Sequence, residues 1–386
     1  MQPHEVATLL QHFGEEDILG AISPPIFQAS NFSFNDSDAM HDGLLVNPAG
    51  PPYIYSRLGN PTLRVLESKL ARIEGCEAGK AMGCGQAAIA SVMFAQAEQG
   101  AHIVCVDTAY GPAKEFLKTL NRFGVSHTLV SGLDTEELLD AIRPETTLVY
   151  LESPGSFTMR LQDLQAIGAG CRAKGVMTAV DNTYASPIQQ SPKALGTDVV
   201  VHSGSKYLGG HSDINAGAIC GDKAFIDRLT MKEINLLGNV LAPFPGWLML
   251  RGMRTLELRI KRHEQSADRV AQWLEGHSAA ERVFNVALES FPQRDLFRRQ
   301  MRGSTGLFSF IPKVQDEAQI KRFISALTLF RQAVSWGGYE SLVLTSKVQM
   351  LDMPEPVWFV RLFIGLEDPG ELIEDLDEAL HASELA

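Results

Sequence analysis

Four short apolar runs, "HIVCVD" (102–107), "TLVYLES" (147–153), "VMTAVDN" (176–182) and "DVVVHS" (198–203), are rich in β-branched residues and end in polar ones. Between and beside them lie "GPAKEFLKTLNRFG", "DTEELLDAI" and "LQDLQAIGAGCRAKG", where apolar residues recur every three or four positions. The first set predicts buried strands and the second predicts helices. Strands alternating with helices predict right-handed crossover units and a mostly parallel sheet.

The pattern differs on either side of this block. The first part reads as irregular: "AISPPIFQASNFSF" and "VNPAGPPYIYSRLGNPT" are rich in Pro, Asn, Ser and Gly with no sustained period, and their aromatics (Phe27, Phe32, Phe34, Tyr53, Tyr55) suit a docked arm better than a solvated tail. "TLRVLESKLARIEG" then predicts a helix stopped at Gly75. A long helix is predicted from Pro245 to His277, with a kink near Gly252. Beyond it, strands ("GLFSFI", "SLVLT", "VRLFIGLE") mix with helices ("AQIKRFISAL", "LIEDLDEALHA"). The expected organisation is an arm (1–60), a large α/β domain (61–245) and a smaller α+β domain (246–386).

Composition changes this picture little. The chain has 386 residues, 45% of them hydrophobic, which suffices for a large core. Its net charge is -12 with no run of Lys or Arg, so no nucleic-acid footprint is expected. Five cysteines without a CxxC pair suggest neither a disulfide framework nor a zinc site, and a reducing, cytoplasmic setting is the expectation. No secretory leader is read in "MQPHEVATLL", and no apolar run is long enough to span a bilayer.

Ligands of parallel α/β sheets bind beyond the carboxyl ends of the strands. Those ends read Asp107 with Tyr110 close behind, Glu152, Asp181-Asn182-Thr183, and His202-Ser203-Gly204-Ser205-Lys206. "GCGQAAIA" adds a glycine turn opening a helix at Gly85 and Gln86, a ready anion site. Its GxGxxA spelling also fits a dinucleotide fingerprint, with Asp107 where a ribose-binding carboxylate would stand. Against a nicotinamide cofactor, "GCEAGKAM" makes a poor first strand, and Lys206 and Asp181 would have no task. Pyridoxal phosphate uses them all. Lys206 supplies the amine for a Schiff base and Asp181 pairs with the pyridine nitrogen. The Gly85–Gln86 turn, Ser203 and Ser205 hold the phosphate, and Tyr110 stacks on the ring.

"VHSGSKYLGGHSDINAG" resembles the cofactor-lysine segment of the Cys/Met-metabolism family of pyridoxal-phosphate enzymes, and "YSRLGNPT", "AVDNTYASP", "RGMRTLELR" and "IGLED" resemble further family motifs, from near residue 20 almost to the end. The resemblance implies a fold-type-I enzyme acting on a small sulfur-containing amino acid, a homo-oligomer, commonly a tetramer of tight dimers with shared active sites. It carries Lys206, Asp181, Thr183 and Tyr110 over as cofactor residues, and Lys206 and Tyr110 also as the catalytic residues that remove the α-proton. It sends Tyr55 and Arg57 to the neighbouring subunit's phosphate and Arg361 to the substrate carboxylate, and it makes Ser335, Trp336 and Tyr55 further substrate-binding residues. "LESPGSFTM", "SWGGYESL" and "GSTGLFSF" resemble the bacterial cystathionine β-lyases, which implies α,β-elimination to a thiol, pyruvate and ammonia. "YSRLGNPT" and Val334 point toward γ-acting members, so a γ-lyase, a γ-synthase or a cysteine desulfhydrase stays open.

Overall fold

The computed structural model describes residues 3–14, 20–46 and 50–385. In chain order, α1 (Pro3–His12), α2 (Ser37–Val46) and α3 (Pro61–Glu74) precede β1 (Ala78–Met82). The α/β block follows: α4 (Gly85–Phe94), β2 (His102–Val106), α5 (Gly111–Leu120), β3 (Ser126–Val130), α6 (Thr135–Asp140), β4 (Thr146–Glu152), α7 (Leu164–Ala173), β5 (Met177–Asp181), α8 (Ser186–Gln189), β6 (Val199–Ser203), β7 (Gly217–Gly221) and α9 (Lys223–Leu229). Next come α10 (Asn235–Leu237), α11 (Pro243–Met253), α12 (Leu256–Glu275), β8 (Ala280–Phe284) and α13 (Arg294–Gln300). Last are β9 (Leu307–Pro312), α14 (Glu317–Ala326), β10 (Arg331–Gln332), β11 (Leu342–Val348), β12 (Val357–Phe363) and α15 (Pro369–Ala382).

The large sheet has the order β1-β7-β6-β5-β4-β2-β3. From β6 to β3 every pairing is parallel, as the alternating runs predicted, while β7 is antiparallel to both its neighbours. Strands buried on both faces read as continuous apolar runs, and β2 is buried at all five positions. The smaller sheet, β10-β11-β12-β9-β8, packs one face against α12, α14 and α15 around Phe308, Phe310, Phe323 and Leu376. The architecture is the expected α/β fold type, with a mixed central sheet and a second, smaller sheet. Among the described residues, no helix is long and apolar enough to cross a membrane.

Three sequence expectations need correction. Residues 1–60 are not wholly irregular, because α1 and α2 form within them. α1 buries Val6 and Leu10, and Lys69 of α3 donates to the Leu10 carbonyl at 2.7 Å. "AGKAM" is a strand after all. Gly79 allows a close approach to α3, where a Cβ would meet the Glu67 carbonyl at 2.8 Å. Lys80 is tied to Glu67 at 3.0 Å and to the Leu58 carbonyl at 2.9 Å, so a lysine and a glycine stand where an apolar run was sought. The long helix is two helices. The Gly252 carbonyl accepts from Thr255 N–H at 3.2 Å and from Arg259 Nη2 at 2.8 Å, which closes α11 before α12 begins.

Candidate active site

A cavity of about 930 Å³ opens between the carboxyl ends of β2, β4, β5 and β6 and the smaller sheet. The turn after β6 puts Lys206 on its wall, with Lys206 N–H donating to the Ser203 carbonyl at 3.2 Å and Gly210 N–H to the Lys206 carbonyl at 2.8 Å. Lys206 Nζ has no hydrogen bond among the described residues. Burial lowers its pKa, Asp181 opposes that, and Arg361 adds to it. A lysine so placed is unprotonated, and so able to act as nucleophile or proton acceptor, at a lower pH than a solvated one.

Asp181, the last residue of β5, is buried. Its Oδ1 accepts from Thr183 N–H at 2.9 Å and from the Thr183 hydroxyl, whose oxygen in turn accepts Ser203 N–H at 2.8 Å. Thr183 therefore brackets the ends of β5 and β6. Oδ2 of Asp181 has no protein donor among the described residues, so it is left for a ring N–H. Burial raises the Asp181 pKa, and the Thr183 hydrogen bonds, His202 and Lys206 pull it back.

At the start of α4, the N–H groups of Gly85 and Gln86 have no intrahelical acceptor. Gly85 lies so close to Ser203 that a Cβ there would meet Ser203 Cβ at 2.6 Å. The helix start and the turn before Lys206 thus form one cradle, in which only glycine fits. The Ser203 hydroxyl has no hydrogen bond among the described residues. Ser205 exchanges bonds with Ala216, accepting its N–H at 3.0 Å and donating to its carbonyl at 3.4 Å. Gln86 Nε2 donates to the Pro112 carbonyl at 3.2 Å, which commits one of its two amide hydrogens away from the cradle. These donors, the free Oδ2 and the unpaired Lys206 amine together fit the phosphate, pyridine nitrogen and aldehyde of pyridoxal phosphate.

The substrate end is built from both sheets. Tyr110 precedes α5, half-exposed, and its N–H donates to Glu152 Oε2 at 2.7 Å. Arg361 of β12 stacks over the Phe157 ring at 5.6 Å and donates to the Ser335 carbonyl at 3.4 Å. Burial brings its pKa down to about 10, against the pull of Glu152 and Tyr110. Ser335 holds a φ of 79°, and Trp336 packs edge-on to Tyr207 at 5.3 Å; both line the cavity. Tyr55 and Arg57 do not line it. Arg57 donates to the Asn235 carbonyl at 2.9 Å and stacks over the Tyr55 ring at 5.5 Å.

Asp107 is not a free ribose acceptor. Arg160 Nη1 binds its Oδ1 at 3.3 Å and Leu351 N–H its Oδ2 at 2.7 Å, so it fastens the large sheet to the turn after β11. The dinucleotide reading falls with it. Sequence reasoning also missed what lies beneath the rim. Glu74 accepts from His202 Nε2 at 2.5 Å and from Asn182 Nδ2 at 3.2 Å. Gln190 continues the network to Asn182 Oδ1 at 3.0 Å and to the Ser153 carbonyl at 2.8 Å. This buried network joins the ends of β4, β5 and β6, and polar residues at strand ends were its one visible trace.

The family model described as Cys/Met metabolism PLP-dependent enzyme matches residues 7–381. The L-methionine gamma-lyase of Pseudomonas putida is 37% identical over 98% of this chain and 97% of its own length. That of Treponema denticola is 38% identical over 94% and 92%. The cystathionine beta-lyase of Lactococcus lactis subsp. cremoris is 36% identical over 94% of each. The crystal structure of metB from Corynebacterium glutamicum superimposes with a TM-score of 0.90 at 30% identity, covering 99% of both chains. With a lysine, a strand-end aspartate and a glycine-bounded anion cradle on one rim, the chain belongs to the Cys/Met-metabolism family of enzymes that use pyridoxal phosphate.

Proposed function

We propose that this enzyme is a carbon–sulfur lyase that catalyses α,β-elimination on a sulfur-containing amino acid, giving a thiol, pyruvate and ammonia, with cystathionine as substrate and homocysteine as the thiol. The observation that carries the reading is the Lys206 amine, unpaired, with a lowered pKa, and facing both Asp181 and Arg361. Bound pyridoxal phosphate supplies an aldehyde for that amine and an electron sink for the substrate's α-carbon. Asp181 holds the ring nitrogen, supported by Thr183. Gly85, Gln86, Ser203 and Ser205 hold the phosphate, and Tyr110 covers the ring. Arg361, with Ser335 and Trp336 beside it, receives the substrate carboxylate bidentately. Lys206 takes the α-proton and returns a proton to the departing thiolate.

Support for β- over γ-elimination comes from "LESPGSFTM", in which Ser156 and Phe157 stand, and from "SWGGYESL", which resemble the cystathionine β-lyases. The Ser156 hydroxyl is committed to Glu152 Oε1 at 2.8 Å and the Phe157 ring to Arg361. A second reading, γ-elimination on methionine, is favoured by the relatives named L-methionine gamma-lyase. Tyr55, half-exposed and not on the wall of its own cavity, and Arg57 would serve a neighbouring subunit's site, from an arm (1–60) in a tetramer of dimers. The large (61–245) and small (246–386) parts would be the two domains of each subunit.

Incubation with L-cystathionine separates the reactions: pyruvate with homocysteine is expected, and 2-oxobutyrate with cysteine would refute β-elimination. Lys206→Ala should abolish the visible absorbance band of the bound cofactor. A surviving band would refute the Lys206 assignment.

A further inference from the structure

We propose that Glu152 is a positioning residue: its carboxylate ties the turn before α5 to the turn after β4, and its charge competes with the substrate carboxylate for Arg361. This rests on the roles given above to Tyr110 and Arg361.

Glu152 ends β4, in register with Asp181 of β5. Its two oxygens are divided between two loops. Oε2 takes Tyr110 N–H at 2.7 Å, and Oε1 takes the Ser156 hydroxyl at 2.8 Å. Ser156 N–H in turn donates to the Thr108 carbonyl at 3.0 Å, which closes the link between the loops. Each arm of this clamp holds something the site uses. Tyr110 itself heads one loop. In the other, Phe157 follows Ser156 and lies under Arg361, with a positive φ of 61° that an aromatic residue seldom adopts without being held.

No ion pair neutralises Glu152 among the described residues. The charged and titratable groups facing it are Asp181 on β5, Lys114 on α5, Arg361 on β12, Cys105 on β2 and Tyr150 on its own strand. Burial first, and then Asp181, raise its pKa to about 8, against the bonds from Ser156 and Tyr110 and the charge of Lys114. Below that pH the group is neutral and Arg361 faces the substrate uncompensated. Above it, a second buried negative charge draws on Arg361, so a carboxylate ligand binds more weakly as pH rises through about 8.

Two substitutions separate position from charge. In Glu152→Gln the amide oxygen can accept Tyr110 N–H while the amide nitrogen donates to Ser156 Oγ, so both contacts survive and the titration is lost. Glu152→Leu removes both contacts.

The experiment uses the holoenzyme and L-alanine, an amino acid with no leaving group. Its dissociation constant is read from the cofactor absorbance between pH 6.5 and 9.5. Alanine affinity in the wild type should fall about tenfold more across pH 8 than in Glu152→Gln, whose remaining slope reports the ligand amine and the other titrating groups of the site. Glu152→Leu should keep the absorbance band and bind alanine about tenfold more weakly at pH 7. Identical pH profiles for wild type and Glu152→Gln, or an unchanged constant in Glu152→Leu, would overturn the proposal. If Glu152→Leu does not fold, Ser156→Ala, which removes one arm, should weaken alanine about threefold, and an unchanged constant there overturns the proposal equally. The band of the wild type and of Lys206→Ala, read without alanine, tests the underlying cofactor assignment separately.

Discussion

Gly337 follows Trp336 in the loop between β10 and β11, and it supports the reactive lysine from behind. Its φ is 91°, and a Cβ there would lie 2.7 Å from Tyr207 N, 2.8 Å from Lys206 C and 2.9 Å from Lys206 Cα. These are backbone atoms, so no side-chain rotation relieves the contact. Gly337→Ala therefore adds two costs. The left-handed backbone disfavours a side chain by about 1–2 kcal/mol. The contacts fall about 0.7 Å short of the ~3.5 Å carbon–carbon optimum and, as overpacking, cost about 1–3 kcal/mol more. Gly238 isolates the first cost, since its φ is 76° and a Cβ there would meet nothing within 4 Å. Urea denaturation should place Gly238→Ala about 1–2 kcal/mol below wild type and Gly337→Ala about 2–5 kcal/mol below it. Gly337→Ala alone should weaken the cofactor's visible band, because the Lys206 backbone must shift. Equal destabilisation of the two variants, with a native band in both, would refute the view that this loop sets the position of Lys206.

Two further outcomes can be measured. Arg160 is buried between Asp107 at 3.3 Å and Asp352 at 2.6 Å, so Arg160→Met strands the buried Asp107 carboxylate and should cost about 3–5 kcal/mol by denaturation. Adding Asp107→Asn should recover much of that loss, and strict additivity of the two changes would count against the clasp. His263 is fully buried, accepts no partner at Nε2, and has its pKa brought down to about 4 by burial, so its charged form is disfavoured in the folded state. That contribution is complete above the ordinary histidine value near 6.5 and is lost as pH falls toward 4, by about 2–3 kcal/mol at pH 4.5. His263→Phe should flatten the acid side of the stability profile by one proton, and an unchanged slope would refute it.

The sequence by itself determined the central strands, the helices between them and the cofactor. β-branched runs alternating with helical stretches favour strands buried on both faces of a parallel sheet, and the polar residues that end them mark the rim where Lys206 and Asp181 meet. Local chemistry also decided the cap of α3, where Asn60 accepts Thr62 N–H at 2.9 Å, Pro61 opens the helix and Gly75 closes it. Tertiary structure decided what depends on a distant partner. "AGKAM" becomes a strand because β7 pairs along all five of its residues and Glu67 of α3 accepts its lysine. Asp107 becomes a clasp because Arg160, 53 residues away, reaches it. Gln86 has one amide hydrogen drawn off by the Pro112 carbonyl. Glu152 is one strand-end acid among several until the fold places Tyr110 on one oxygen, Ser156 on the other and Asp181 beside it. Periodicity reports what a segment buries; it carries no information on which remote group will pair with a buried charge, and desolvation makes that pairing decisive.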